Sequence, residues 1–168
     1  MGYQSKKLYS YIKEVNEDLV KFTTANNITY SVFFEKMIQE DSEYDFYEIA
    51  FEKDNEDKFF DSKIQYTIVE IIREYLTKKE YSILYYVPLI DDEGSGAEAR
   101  GRLFQRWHRN SNTRKITILK KNILEFDFNP EGCDNNIYFV YDHNRHNNIF
   151  VENMIQSELE YLATEKME

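Results

Sequence analysis

Hydrophobic and polar positions alternate with a period of two over the first part of the chain. Three alternating runs lie between Leu8 and Phe34, and two short polar breaks, "NE" and "ANN", separate them. Alternating runs joined by short breaks with Asn are typical of β-hairpins. The pattern therefore predicts a three-strand meander, and "YDFYEIAFEK" at 44–53 predicts a fourth antiparallel strand.

The period changes after residue 61. Ile64, Ile68, Ile71 and Ile72 recur at spacings of three and four residues, which predicts a helix that Asp61 or Ser62 can cap. The following run, "YSILYYVPL", is apolar at successive positions. A strand of this kind is covered on both faces, so we predict a central position in the sheet.

The rest of the chain completes the predicted order. We predict a second helix at 97–110, a strand with a break from 115 to 126, a strand at 136–143 and a closing helix from Phe150 to Ala163. The chain is then a single α+β domain, residues 1–168, in the order ββββαβαββα. We expect a mostly antiparallel sheet with the helices packed on one face.

Length and composition fit one compact intracellular domain. The chain has 168 residues, of which 42% are hydrophobic, enough for one buried core. Its single cysteine, Cys133, has no partner for an internal disulfide. No apolar run matches a signal peptide or a membrane span. We therefore expect a cytoplasmic protein that does not cross a membrane.

Charge is distributed unevenly along the chain. The formal net charge is -10, yet residues 100–121, called the basic segment below, contain eight Arg or Lys and no acid. Residues 40–61, the acidic segment, contain ten Asp or Glu and two Lys. Two interpretations stay open. The segments neutralise each other within the folded chain, or the basic segment binds an anionic partner.

The basic segment has a geometry that suits an anion. Arg102, Arg106 and Arg109 are four and three residues apart and share one face of the predicted second helix, and Arg114 and Lys115 extend the positive charge. The planar guanidinium group matches phosphate and carboxylate oxygens. These five residues are the predicted binding residues.

Arg100 lies on the opposite face of the same predicted helix, together with Leu103, Phe104 and Trp107. An arginine on a buried face has to be paired or functional, because an isolated buried charge is costly. We favour a structural pair with an acid such as Glu70 or Glu125, and a functional role is the alternative.

The motif "RGRLFQRWH" at 100–108, preceded by "FTTANNITYSVFF" and "ILYYV", resembles a family of small bacterial proteins, mostly from Bacteroidota, known as a domain of unknown function. The resemblance spans most of the chain. It implies a stand-alone bacterial domain, and it implies no activity, cofactor or catalytic residue.

Two partial nuclease patterns are present, and both are incomplete. Asp142, His143 and His146 could begin a ββα-metal motif, but no histidine follows His146 to complete the ligand set. Asp45 with Glu56 and Lys58 matches a second pattern only if the loop-like stretch "KDNEDKFFD" is a buried strand. We therefore predict no metal site.

Nucleophilic catalysis and phosphate-loop binding also lack their motifs. Ser95 has no Gly-x-Ser-x-Gly elbow, Cys133 has no neighbouring base, and Gly94 and Gly96 are not followed by the Gly-Lys of a phosphate loop. No catalytic residue and no cofactor are predicted, and the pattern favours a binding protein over an enzyme.

The sequence as a whole favours a non-enzymatic module that engages an acidic partner, foremost a protein, through the basic helix and the following strand. Binding of nucleic acid or of a nucleotide phosphate is the alternative. The acidic composition disfavours non-specific duplex binding, which requires an extended basic surface. The identity of the partner and the oligomeric state stay open.

Overall fold

The structure, a computed structural model, describes most of the predicted sheet and two of the predicted helices. The described residues are 8–13, 18–37, 44–54, 61–79, 81–86, 106, 116–122, 136–142 and 147–165.

Seven strands and two helices follow one another along these ranges. They are β1 (Tyr11–Lys13), β2 (Leu19–Thr23), β3 (Thr29–Lys36), β4 (Asp45–Lys53), α1 (Ser62–Lys78), β5 (Ser82–Tyr86), β6 (Ile116–Asn122), β7 (Asn136–Asp142) and α2 (Asn148–Glu165). Of the second predicted helix, at 97–110, only Arg106 is described, and that residue is helical.

All seven strands belong to one sheet in the order β1-β2-β3-β4-β5-β7-β6. Neighbouring strands are antiparallel except β4 and β5, which are parallel and are joined through α1. The predicted α+β class, the mostly antiparallel sheet and the central position of β5 are confirmed.

The turn between β2 and β3 shows why the "ANN" break ends a strand. Asn27 has a φ of 65°, in the left-handed region that Asn tolerates better than most residues. Its amide donates to the Thr24 carbonyl at 3.0 Å, and the Thr24 amide donates to the Ile28 carbonyl at 2.9 Å. The chain reverses here, and β3 returns beside β2.

Helix α1 begins where the sequence predicts. Asp61 is its N-cap, and the carboxylate accepts a hydrogen bond from the Ile64 amide at 2.9 Å. The predicted apolar stripe is buried on the sheet, and Lys78 lies in the last turn, near the negative end of the helix dipole.

Two hydrophobic cores cover opposite faces of the sheet. The first core contains the buried stripe of α1, and the second contains the stripe of α2, which consists of Val151, Ile155 and Leu159. Along β5 and β7 successive residues alternate between the cores: Leu84 and Val140 belong to the first, and Ile83 and Phe139 to the second. Each face of these strands is therefore covered by its own layer.

The prediction that the helices pack on one face is wrong for α1 and α2. Strands β5 and β7 are apolar on both faces, and an apolar face exposed to water is unfavourable, so both faces need a covering layer. The period-two pattern shows which residues share a face of a strand. It does not show which helix covers that face.

Candidate binding surface

The predicted binding residues are only partly within the described chain. Arg106 is helical and exposed. Arg100, Arg102, Arg109, Arg114 and Lys115 lie outside the described residues. The structure thus locates one arginine of the predicted row and, through β6, the point in the sheet where the basic segment ends.

Strand β6 follows Lys115 directly and is the last strand in the sheet order. It pairs with β7 at seven successive positions, from Ile116 opposite Asp142 to Asn122 opposite Asn136. Ile118 packs against the first core and Leu119 against the second, and both are partly buried. The strand predicted to follow the basic helix is therefore anchored from both faces at one side of the sheet.

Three of the five described acids of the acidic segment have partners close to their own positions. Asp45 forms an ion pair with Lys36 on the neighbouring strand at 3.3 Å. Asp54 accepts a hydrogen bond from the Thr29 amide at 3.0 Å, and Asp61 caps α1. In the sheet, β5 and β7 separate β4 from β6. Three strand spacings correspond to about 14 Å, beyond direct ion pairing between these two strands.

A row of acids on the face covered by α2 was not found by sequence reasoning. Glu35 and Glu48 are directly opposite on β3 and β4, and Glu48 is opposite Tyr85 on β5. Burial raises the pKa of Glu48, and the charge of Glu35 raises it further. Burial also raises the pKa of Tyr85, and Glu48, Glu158 and Glu35 add to this effect. Only the strand register brings these groups together.

A second feature that sequence reasoning missed joins β1 to α1. The Glu74 carboxylate on α1 accepts a hydrogen bond from the Tyr11 hydroxyl at 2.6 Å and from the Lys13 ammonium group. Lys78, one turn further along α1, lies 3.4 Å from the same carboxylate. These groups line a small surface pocket together with Tyr75. The arrangement is a charge network that fastens the edge strand β1.

Exposed aromatic side chains form a patch at one end of the sheet. Tyr81 is 59% exposed and Phe150 is 43% exposed. The buried ring of Tyr44 lies beneath, with its centroid 5.7 Å from that of Tyr81 and 5.8 Å from that of Phe150. These residues are distant in sequence, so periodicity could not group them. Exposed apolar clusters are typical of protein contact sites.

The patch lies at the end of the sheet where β6 begins. Strands β4 and β5 are parallel, and β5 and β6 are both antiparallel to β7, so the three strands start at the same end. Tyr81 directly precedes β5, and Ile116 is the first residue of β6. The exposed aromatic patch and the first residue of β6 therefore lie at the same end of the sheet.

The described members of the two incomplete nuclease patterns show no catalytic arrangement. Asp45 lies at the start of β4 in its pair with Lys36, and Asp142 is the last residue of β7. Glu56, Lys58, His143 and His146 lie outside the described residues, as do Ser95 and Cys133. Within the described ranges, no group of three or more His, Cys, Asp or Glu could hold a metal ion.

Among the described helices, none is long and apolar enough to cross a membrane. No family model, curated protein or solved structure matches the chain.

Proposed function

We propose that this protein is a non-enzymatic bacterial interaction module that engages an acidic partner protein through the basic segment. The predicted second helix and β6 supply the contact, with Arg102, Arg106, Arg109, Arg114 and Lys115 as the binding residues. The exposed, helical Arg106 is the observation that carries the proposal, because the sequence places it in the centre of the outward-facing row. The proposal includes a cytoplasmic location, which the single cysteine favours.

The strand directions support an outward-facing position for this row. Strands β5 and β6 run in the same direction, so residues 87–115 form a crossover between parallel strands. Such crossovers are right-handed in nearly all proteins. Since β4, β5 and β6 succeed one another in the same direction across the sheet, a right-handed crossover lies on the same face as α1. We therefore propose that the second helix packs beside α1.

That position accounts for both faces of the predicted helix. Tyr138 and Val140 on β7 belong to the first core and are 0% exposed. We propose that Leu103, Phe104 and Trp107 pack on this apolar surface. The opposite side of a helix packed in this way faces solvent, which agrees with the exposure of Arg106.

Two observations favour an external partner over internal neutralisation. The described acids Asp45, Asp54 and Asp61 have partners near their own positions. The strands that carry the two charged segments are separated by about 14 Å. These two observations concern the described acids and strand β6, and they support the proposal that the partner of the basic segment lies outside the chain.

A protein is favoured over nucleic acid because the surface is mixed in character. The aromatic patch of Tyr81 and Phe150 lies at the end of the sheet where the basic segment enters β6. Protein contact sites combine apolar anchors with a charged rim. Duplex binding instead requires an extended basic surface, and the chain carries a net charge of -10.

The proposal is tested by replacing Arg102, Arg106 and Arg109 together with Gln, which keeps helix propensity and removes the charge row. Wild type and variant are used to capture proteins from a bacterial lysate, and the captured proteins and nucleic acids are quantified. We expect acidic proteins to be depleted about ten-fold in the variant, since a loss of about 0.5 kcal/mol for each of the three charges totals about 1.5 kcal/mol, close to the 1.4 kcal/mol of a ten-fold change.

The matched control replaces Lys21, Lys36 and Lys53 with Gln. These lysines are exposed on β2, β3 and β4 and carry the same total charge on the other half of the sheet. The control should capture acidic proteins as the wild type does. If both variants capture equally little acidic protein, net charge alone explains the effect. Capture of nucleic acid by the wild type would favour the alternative function, nucleic-acid binding. If the arginine variant unfolds, those arginines instead form ion pairs with acids of the same chain.

A further inference from the structure

The outer edge of β6 is the feature of the described sheet best suited to receive another polypeptide strand. In an antiparallel pair each strand directs every second N–H and C=O toward its partner and the others away from it. Strand β6 pairs with β7 along its full length of seven residues. Within the described sheet β6 is terminal, so its remaining backbone groups point away from β7.

This edge is held in a strand conformation before any partner arrives. Ile118 and Leu119 pack against opposite cores, and their neighbours on β7, Val140 and Phe139, are buried. A fixed edge loses little conformational entropy when a segment pairs with it, which favours binding.

The other terminal strand of the described sheet is less suitable. Strand β1 has three residues, and Lys13 at its end is engaged with Glu74. Short edge strands are one of the ways in which proteins avoid unwanted strand pairing. Strand β6 has more than twice that length, so it offers the longer ladder of backbone hydrogen bonds.

Charge decides which kind of strand fits. Strand β6 contains two basic residues, Lys120 and Lys121, and no acid. Residues opposite one another on paired strands lie about 5 Å apart, so opposite charges at such positions attract. A second copy of β6 would supply no negative charge to these lysines. An acidic strand would instead neutralise the basic residues.

We propose that β6 accepts an acidic, extended segment of a partner protein as an eighth strand of the sheet. The inference rests on the proposed function and adds the manner of binding. Backbone hydrogen bonds to the edge supply affinity, and acidic side chains opposite the basic positions supply selectivity.

The test uses the full chain and three labelled ten-residue peptides. The first alternates Glu and Val, the second alternates Lys and Val, and the third alternates Glu and Pro. The Lys peptide has the wrong charge, and the Glu–Pro peptide keeps the charge but lacks the N–H groups and the conformation of a strand. We expect the Glu–Val peptide to bind at least ten-fold more tightly than either of the others.

Amide hydrogen exchange of the protein, followed by NMR, identifies the bound edge. Amides of β6 that bond to β7 are already protected, and those that point outward are not. Saturation with the Glu–Val peptide should increase protection at every second residue of β6, with no comparable change in β1. Failure of the Glu–Val peptide to bind, or binding without this alternating protection, would overturn the inference.

A charge-reversal variant provides a second measurement. In Lys120→Glu combined with Lys121→Glu, the preference should shift by at least ten-fold toward the Lys–Val peptide. Lys21→Glu with Lys53→Glu makes the same change in charge on β2 and β4 and should leave the preference as it is in the wild type. Equal shifts in both variants would contradict a contact at β6.

These outcomes separate the inference from the proposed function. If the Glu–Pro peptide binds as tightly as the Glu–Val peptide, charge alone drives binding, so the β6 inference fails while the proposed function stands. If acidic proteins are captured independently of Arg102, Arg106 and Arg109 but β6 still shows alternating protection, the assignment of the arginine row fails and β6 remains a binding edge.

Discussion

Glu74 is the residue on which the attachment of β1 depends. Burial by itself would raise the pKa of this carboxyl group, but hydrogen bonds from Lys13 and Tyr11, with the charge of Lys13 and the nearby Lys78, lower the pKa to about 2. The ionised form is thus favoured by folding. Conversely, burial and the hydrogen bond to Glu74 raise the pKa of the Tyr11 hydroxyl, which stays a donor at neutral pH.

Replacement of Glu74 by Gln should lower the free energy of unfolding by about 1.5–3 kcal/mol at pH 7, the usual range for hydrogen bonds to a charged group. The folded-state pKa lies below the unfolded-state value, so this stabilisation is present above about pH 4.5 and is lost as the pH falls toward 2. The difference between wild type and variant in urea unfolding should therefore shrink across that range.

Glu70→Gln is the matched control for this prediction. Glu70 lies one turn earlier on α1 and forms its ion pair with Arg73 within the same helix. A pair of this kind contributes about 0.2–0.5 kcal/mol and lies within one helix. If the two variants lose equal stability, the link between β1 and α1 is not what Glu74 supplies.

At the scale of elements, strand direction determines where the second predicted helix can lie. Strands β5 and β6 run parallel, and the usual right-handed connection between such strands supports the proposal that the second helix lies on the face of α1. The face of β7 below this position includes Tyr138, whose ring is stacked on Tyr86 with the centroids 4.9 Å apart.

Trp107 should be buried against this face, although it lies outside the described residues. Trp107→Ala is expected to cost about 3–5 kcal/mol in urea unfolding, as for other large aromatic truncations in cores. The chain has one tryptophan, so native emission reports on this side chain alone. The emission should be blue-shifted and weakly quenched by acrylamide.

Arg106→Gln, at the position before Trp107, is the control for Trp107→Ala. Arg106 is exposed, so its replacement should change stability by less than about 0.5 kcal/mol and leave the tryptophan emission unchanged. A solvent-like emission from native Trp107 would show that this face of the helix does not pack on the sheet.

At the scale of the whole molecule, the charges of opposite sign are concentrated in different segments of the chain. The net charge of -10 coexists with a basic segment that contains no acid. An acidic protein repels the phosphate backbone of DNA over distances up to the Debye length, which is about 8 Å at 0.15 M salt. A local basic surface is therefore insufficient for binding duplexes without sequence preference.

We predict that random duplex DNA binds with a dissociation constant weaker than about 100 µM at 0.15 M salt, measured by fluorescence anisotropy. Any binding in dilute buffer should weaken as salt is added and should be lost when Arg102, Arg106 and Arg109 are replaced with Gln. Submicromolar binding at 0.15 M salt would contradict the prediction and favour the nucleic-acid alternative.

The sequence by itself determined the local elements. The spacing of Ile64, Ile68 and Ile72 defined α1, the carboxylate of Asp61 capped it, and the period-two alternation located β2, β3 and β4. These features depend on side chains a few residues apart, which periodicity describes directly. The outward position of Arg106 followed from the same local geometry.

The tertiary structure alone decided which elements meet. Neither the position of β6 beside β7, nor the placement of α2 opposite α1, nor the Glu35–Glu48–Tyr85 row could be derived from periodicity. The period-two pattern of a strand stays the same if two strands exchange places in the sheet. It also stays the same if a helix covers the opposite face of the sheet. Long-range order is determined by the joint burial of both faces of β5 and β7, a property of the assembled sheet rather than of any single segment.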